Sequence, residues 1–388
     1  MNLDFAKRVE KLPPYIFAEM EKIIQEKKLE GMNIISLSIG DPDLPPPQFI
    51  LDALKEEATN PSNHSYSTSR GEPEFRETVA EWLKNRFKID VNPETEVAAL
   101  IGSKEGIANI ARAFINRGDR VLIPNPAYPI YANAGAILND GIPVSMPLSE
   151  KNNFLPDLEA FANLKAKMMF LNYPNNPTGA IANKHFLQEA VEFALENNII
   201  LCYDNAYSEI TYNGYKAPSI MEVDGAMDIA IEFHSFSKTF NMTGDRIAFA
   251  VGNSKLIDGL VKVKSQIDSG PPKYMQLVAM RGLNSYRGSE PPDEIKKVNA
   301  TYQHRAKVLM DRLRAIGLEY TVPKATFYVW VKCGGDSMEF TRKLVNVGVV
   351  VTPGVGFGEY GEGYVRFSLT KPVEDIEEAC DRISKIKI

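Results

Sequence analysis

The sequence predicts an α/β protein in which a large domain holds a mostly parallel, mixed sheet sandwiched by helices, with a smaller α+β domain beside it. From residue 48 onward, helix-like and strand-like segments alternate. After about residue 284, consecutive strands and helices follow instead. The 388 residues are too many for one ordinary core. We therefore expect residues 1–46 to form an N-terminal arm and part of the small domain, 47–284 the large domain, and 285–388 the C-terminal small domain.

Helices are predicted where apolar residues recur at helical spacing, in several cases just after a proline. Pro13 and Pro14 precede the first helix, which reaches about Lys28, so an extended arm should lead into it. A helix follows the Gly102 turn and ends near residue 115. The other predicted helices cover residues 48–58, 73–87, 184–197, 294–316, 337–347 and 373–386.

Strands are predicted where short apolar runs end in turn residues. They cover residues 34–39, 97–101, 121–124, 168–171, 199–204, 229–233, 247–251, 326–331, 349–352 and 364–369. Residues 40–47, Gly-Asp-Pro-Asp-Leu-Pro-Pro-Pro, form a rigid linker into the large domain. In a mostly parallel sheet, functional sites form at the carboxyl ends of the strands.

Composition and charge exclude several classes of protein. The net charge of −6 comes from interspersed signs, so a nucleic-acid partner is not expected. No apolar run reaches the ~18 residues of a membrane span and the N-terminus lacks a signal-peptide core, which predicts a cytoplasmic protein without a membrane partner. The three cysteines and four histidines are scattered, so no metal site is expected.

The segment 235–252 carries the first chemical signal. Lys238 lies among small hydroxyl residues at the end of an apolar run, and Arg246 opens the next run. Burial and a cationic neighbour lower the pKa of a lysine and make it a nucleophile. Arg246 and Ser235 can bind a phosphate through hydrogen bonds. A lysine that forms a Schiff base beside a phosphate site suggests pyridoxal 5′-phosphate (PLP). By itself, this segment is equally compatible with a solvated loop.

Four other strand ends carry suitable residues. Ser103 and Lys104 follow a Gly turn at a helix start, which is an anion site. Asp204 closes an apolar strand, and a protonated pyridine nitrogen would be a fitting partner for its carboxylate, with Tyr207 able to reach the ring oxygen. Tyr128 can stack on a ring, or simply pack in the core. Asn176 lies in a rigid Pro-containing turn.

Two further residues point to a substrate. Gly40 lets a backbone N–H approach a ligand closely, although a plain turn glycine explains it equally well. Arg366 lies inside a strand, where a charge needs a partner such as a substrate carboxylate; the alternative is an edge-strand arginine that faces water.

Together these residues resemble the class I and II aminotransferases of PLP fold type I, over essentially the whole chain. The resemblance implies that Lys238 carries the cofactor covalently, Asp204 binds its pyridine nitrogen, and Asn176 and Tyr207 hold the ring oxygen. It implies a phosphate site of Ser103, Lys104, Ser235 and Arg246, ring stacking by Tyr128, and substrate contacts from Tyr15, Gly40, Asn176 and Arg366. It further implies that Tyr66 reaches the phosphate of the partner subunit, and hence a homodimer with shared active sites.

Within that family, the segments Leu12-Pro13-Pro14-Tyr15, Gly102-Ser103-Lys104-Glu105-Gly106 and 172–179 are similar to the subgroup that transfers an amino group between LL-2,6-diaminopimelate and 2-oxoglutarate in lysine biosynthesis. Two departures bear on the substrate. Asp245 stands where a large apolar residue is expected, and Pro271–Tyr274 replaces a loop that contributes to the neighbouring site.

The residues leave other functions open. The same lysine and cofactor serve an aspartate, alanine or aromatic aminotransferase and a C–S β-lyase. A PLP-fold sensor is a third hypothesis. It is disfavoured because no DNA-binding segment is appended and Lys238, Tyr207 and Arg366 occur together.

Overall fold

The computed structural model describes residues 3–14 and 16–386. The helices in this part of the chain are α1 (Lys7–Glu10), α2 (Ile16–Leu29), α3 (Gln48–Thr59), α4 (Pro73–Phe87), α5 (Ser103–Phe114), α6 (Ile130–Asn133), α7 (Lys184–Glu196), α8 (Ala226–Ile229), α9 (Phe236–Thr239), α10 (Ser254–Lys264), α11 (Lys273–Asn284), α12 (Asp293–Ala315), α13 (Ser337–Val345) and α14 (Val373–Ile383).

The strands are β1 (Ile35–Ser36), β2 (Val97–Leu100), β3 (Arg120–Asn125), β4 (Ile142–Pro147), β5 (Met168–Asn172), β6 (Ile200–Asp204), β7 (Ala230–Ser235), β8 (Ala248–Gly252), β9 (Tyr320–Thr321), β10 (Tyr328–Lys332), β11 (Val349–Val350), β12 (Thr352–Pro353) and β13 (Tyr364–Ser368).

A seven-stranded sheet with the order β2-β8-β7-β6-β5-β3-β4 organises the larger part of the molecule. β8 runs antiparallel to both of its neighbours and the remaining pairs are parallel, so the predicted mostly parallel, mixed sheet is confirmed. The sequence did not predict β4, which contains Pro143 and Pro147. β4 is an edge strand, where proline is tolerated because its missing N–H faces no neighbour.

Helices cover both faces of this sheet because its central strands are apolar on both sides. Leu201 and Tyr203 of β6 share a core with α3, α4, α7 and α11. Ile200 and Cys202 of the same strand face the opposite way and pack with α5 and α10. In α5, Ile107, Ile110 and Ala111 supply the buried stripe at helical spacing.

A second, antiparallel sheet has the order β12-β13-β10-β9, and it packs against α12 and α14. β13 has a neighbour on each side and Arg366 is 1% exposed, so the alternative of a water-facing arginine on an edge strand is wrong. β1 pairs with β11, which brings the N-terminal segment to the C-terminal third of the chain. The domain boundaries at 46/47 and 284/285 stay a prediction.

The structure corrects the prediction of a loop over Pro271–Tyr274, because Lys273 and Tyr274 are the first two residues of α11. Pro272 precedes them with φ −54°, and proline is favoured at a helix start because no intrahelical N–H is required there. Across residues 3–14 and 16–386, no helix has both the length and the apolarity to cross a membrane.

Candidate active site

A cavity of about 370 Å³ lies at the carboxyl ends of β2, β5, β6 and β7 and extends to the second sheet. It is lined by eleven of the residues predicted from the sequence: Gly40, Ser103, Lys104, Tyr128, Asn176, Asp204, Tyr207, Ser235, Lys238, Arg246 and Arg366. Parallel strands end at the same edge of a sheet, which explains why residues far apart in the chain meet there.

One end of the cavity is built for an anion. Ser103 is the first residue of α5, and its buried Oγ has no hydrogen-bond partner among the described residues. Gly102 has φ +135°, and a Cβ there would collide with the Arg246 guanidinium. Arg246 Nη1 donates to the Thr243 carbonyl at 2.7 Å. A helix N-terminus, an unpartnered hydroxyl and a guanidinium together fit a phosphate.

A buried carboxylate marks the position of a cation. Asp204 ends β6, and its Oδ2 accepts a hydrogen bond of 2.6 Å from the Tyr131 hydroxyl. Its Oδ1 is buried without a partner in the described structure. Burial raises the pKa of Asp204 to about 6, partly offset by the Tyr131 hydrogen bond. A protonated pyridine nitrogen would supply the missing charge and donor, so the site fits a PLP ring.

Tyr131 was not predicted as a site residue. It lies in the short helix α6, three residues after Tyr128, which precedes the helix. The centres of the two rings are 6.1 Å apart, and the rings meet edge to face. The repeated aromatic at i and i+3 was the available signal. Tyr128 itself is half-buried and lines the cavity, with Lys104 Nζ 6.0 Å from its ring centre.

Lys238 lies in α9, directly after β7. Its Nζ donates to the Gly40 carbonyl at 3.0 Å. Burial, together with the charges of Arg366 and Arg246 and against that of Asp41, lowers the pKa of Lys238 to about 8. The lowered pKa makes the neutral amine, which an amine nucleophile or a general base requires, more available near neutral pH than in an ordinary lysine.

The second sheet supplies a buried arginine to the same cavity. Arg366 Nη1 donates to Asn176 Oδ1 at 2.7 Å and Nη2 to the Ser38 carbonyl at 2.6 Å. The guanidinium carbon lies 4.1 Å from the ring centre of Tyr328. These contacts fix the guanidinium in one orientation, as a two-pronged carboxylate site requires.

Two tyrosines that line the cavity, Tyr207 after β6 and Tyr328 in β10, contact each other. The hydroxyls of Tyr207 and Tyr328 are 3.1 Å apart and share a hydrogen bond. The Tyr328 hydroxyl also lies against Gly40 so closely that a Cβ at that position would collide with it. The structure therefore requires glycine at residue 40 for close packing of this ring.

Tyr66, a predicted site residue, does not line the cavity among the described residues. Tyr66 is 91% exposed on the loop before α4. Tyr15 lies outside the described residues. Conversely, the cavity is lined by residues that the sequence did not assign to it: Glu21, Ile39, Asp41, Ile107, Tyr131, Asn172, Ala206, Thr243 and Tyr328.

The arrangement has a definite chemistry. When bound, PLP supplies an aldehyde for an amine and a ring that withdraws electrons. Lys238 would offer that amine, the Asp204 carboxylate would pair with a positively charged ring nitrogen, and Arg366 would bind a substrate carboxylate. Tyr207 can donate a hydrogen bond towards the ring oxygen, since burial and Tyr328 raise its pKa well above the ordinary value and keep it protonated.

Comparison with known proteins assigns the family. A family model for aminotransferase class I and II matches residues 32–383. An LL-diaminopimelate aminotransferase from Aquifex aeolicus is 49% identical over 391 aligned positions, covering 99% of this chain and 100% of that protein. Substrate-bound BacF from Bacillus subtilis is 38% identical, with a TM-score of 0.93 over 99% of this chain and 98% of that chain. A single mutant of Thermus thermophilus aspartate aminotransferase is 26% identical, with a TM-score of 0.92 over 99% and 100%. The chain therefore belongs to the class I and II aminotransferases of fold type I and is a PLP-dependent transaminase.

Proposed function

We propose that this transaminase moves an amino group between LL-2,6-diaminopimelate and 2-oxoglutarate in lysine biosynthesis. The observation that carries the proposal is the 49% identity, over the full length of both chains, with a relative named LL-diaminopimelate aminotransferase. A likeness that runs from end to end includes every segment that lines the cavity.

The charges of the cavity support a substrate with charged groups at both ends. Arg366 suits the α-carboxylate next to the reacting carbon. Glu21 and Asp41 line the same cavity, and their carboxylates suit the second ammonium group of diaminopimelate. Alanine or phenylalanine would bring no polar group to this end of the cavity, which is how such a site rejects them.

We propose the following roles for the site residues. Lys238 carries the cofactor and, once free, takes the proton from Cα of the substrate; Asp204 and Tyr207 are its catalytic partners at the ring nitrogen and ring oxygen. Ser103, Lys104, Ser235 and Arg246 bind the phosphate and Tyr128 covers the ring. Asn176, Gly40 and Arg366 position the substrate, together with Tyr15.

The substrate is tested by single-turnover absorbance. PLP-loaded enzyme is mixed separately with LL-diaminopimelate, glutamate, aspartate, alanine, phenylalanine and cystathionine, and loss of the visible cofactor band is followed. The proposal is supported if only diaminopimelate and glutamate cause a fast loss of the cofactor band. Fast conversion by aspartate, alanine or phenylalanine without diaminopimelate contradicts it, and pyruvate with ammonia from cystathionine assigns the protein to the β-lyases.

We also propose a homodimer with shared active sites. Tyr66 is 91% exposed, and Ile267 of the neighbouring loop is 52% exposed, so an apolar surface is left to cover. The two loops are adjacent, because a Cβ at Gly270 would collide with the Thr68 carbonyl.

Subunit mixing tests this arrangement. Lys238→Ala and Tyr66→Ala proteins, each impaired alone, are unfolded, mixed and refolded. If sites are shared, each hybrid dimer has one intact site and activity returns to about a quarter of the unmodified value. No recovery, or a monomer by light scattering, contradicts the proposal.

We place the enzyme in the cytoplasm. Its likeness to relatives named LL-diaminopimelate aminotransferase, which are biosynthetic enzymes, supports this location. Activity in the membrane or periplasmic fraction of the source cells, rather than in the cytosol, contradicts it.

A further inference from the structure

A buried lysine lies outside the cavity but next to its anion-binding end. Lys264, the last residue of α10, has a side chain with no exposed surface. Its Nζ donates to Glu105 Oε2 at 3.1 Å and to Asp268 Oδ1 and Oδ2 at 2.8 and 3.0 Å. Burying an ammonium group without such partners would cost a large amount of folding free energy, so the two carboxylates are required to keep Lys264 charged.

Glu105 is the third residue of α5, the helix that begins with Ser103. Its Oε2 accepts the Ile101 N–H at 3.2 Å and its Oε1 accepts from Asn109 Nδ2. The carboxylate thus folds back over the turn that precedes the helix. A bare negative charge there would repel the phosphate that the unpartnered Ser103 hydroxyl and the helix start are placed to bind.

We propose that Lys264 is a positioning residue for the cofactor phosphate, acting by neutralising Glu105. Glu105 is needed to hold the Ile101 N–H and the shape of the turn, and Lys264 removes the electrostatic penalty of having a carboxylate beside a phosphate. The inference concerns the cofactor alone and does not depend on which amino acid is the substrate.

Asp268 contacts the Lys264 ammonium, as Glu105 does. Its Oδ1 accepts the Gly270 N–H at 2.9 Å as well as the Lys264 hydrogen bond. Asp268 therefore holds the Lys264 ammonium towards α5 and fixes the loop after α10. The three side chains have two carboxylates for one ammonium, so loss of Lys264 leaves both carboxylates uncompensated.

Cofactor binding to the apoprotein tests the proposal. Dissociation constants are measured by absorbance for PLP and for pyridoxal, which lacks the phosphate, with unmodified protein, Lys264→Met and the control Lys262→Met. Lys262 lies on the same helix and its side chain is 81% exposed. We expect Lys264→Met to weaken PLP binding at least about tenfold and pyridoxal binding less than about threefold, and Lys262→Met to change neither. Equal weakening of both ligands would show a merely structural role and overturn the proposal.

Glu105→Gln keeps the test decisive if Lys264→Met fails to fold, because glutamine retains the oxygen that accepts the Ile101 N–H. We expect Glu105→Gln to bind PLP at least as tightly as unmodified protein, and Glu105→Gln with Lys264→Met to return PLP affinity to within about threefold of it. Weaker PLP binding in the Glu105→Gln single variant, or no recovery in the folded double variant, would overturn the proposal. No amino acid enters these titrations, so their failure is separate from a failure of the proposed substrate.

Discussion

The cofactor half and the substrate half of the cavity are built in different ways. In the cofactor half, Ser103, Asp204 and Lys238 lie at the ends of β2, β6 and β7 of one sheet. The substrate half joins Arg366 of the second sheet to the Ser38 carbonyl, 328 residues away in the chain. The topology of one sheet brings the residues of the cofactor half together. The residues of the substrate half meet only because segments distant in the chain pack against each other. The halves should therefore respond differently to mutation.

The largest effect is expected at Lys238, because both halves need its amine. Lys238→Ala should lower turnover at least about 10⁴-fold, since it removes both the nucleophile and the base. Steady-state formation of glutamate from diaminopimelate and 2-oxoglutarate measures this, with the exposed Lys255→Ala as the control. Activity within tenfold of the unmodified enzyme would contradict the roles assigned to Lys238 in both halves.

Asp204→Asn should have opposite effects on the apoprotein and on cofactor binding. The folded-state pKa of Asp204 is raised from 3.8 to about 6, so its ionised form destabilises the apoprotein above pH 6, and this cost disappears below about pH 4. A shift of this size corresponds to about 3 kcal/mol. We expect the asparagine variant to be more stable to urea at pH 7.5 and unchanged near pH 4.

The same variant should bind PLP at least about tenfold more weakly, because the charge that pairs with the ring nitrogen is lost. Asp224→Asn, at an exposed position, is the matched control for both measurements. A variant that loses apoprotein stability at pH 7.5 would show that Asp204 serves the fold rather than the cofactor half.

Arg366→Lys should separate the two halves. Lysine keeps the charge but not the two-pronged geometry, so kcat/KM for amino-acid substrates should fall about 100-fold. The PLP dissociation constant should change less than about threefold, because lysine keeps the positive charge near Lys238 and Arg366 is not among the residues proposed to bind the cofactor. A loss of PLP affinity as large as the loss of kcat/KM would contradict the division of the cavity.

The smallest effect is expected at the contact between the halves. Tyr328→Phe removes the 3.1 Å hydrogen bond to the Tyr207 hydroxyl, a loss of about 1 kcal/mol or about fivefold in kcat. Tyr360→Phe, at a tyrosine that is 48% exposed, is the control. An effect above 100-fold would mean that Tyr328 takes part in the chemistry directly.

The sequence predicted the cofactor half better than the substrate half, for a physical reason. A strand followed by a polar turn can be recognised locally, and parallel strands bring such turns together, which gathers Ser103, Asp204 and Lys238 in one cavity. Arg366 was identified through its unusual place in an apolar strand. Its partner Ser38 and the ring of Tyr328 carry no local signal, because only the packing of the second sheet brings them there.

Other misses have similar causes. Tyr131 contacts Asp204 from 73 residues away, and an aromatic in a short helix usually packs in the core. A loop was expected at Pro271–Tyr274 because the resembling family has one there, whereas α11 begins at Lys273. Glu21 reaches the cavity from α2, and the polar pattern of that helix does not reveal which side faces a ligand.

The most direct test of the account locates the lysine that carries the cofactor. PLP-loaded enzyme is treated with borohydride, which makes the lysine–cofactor bond permanent, and digested for peptide mass spectrometry. Two lysines, Lys238 and Lys104, line the cavity among the described residues. We expect the adduct on Lys238 alone, because its lowered pKa supplies the neutral amine. An adduct on Lys104, or on any lysine outside the cavity, would contradict it.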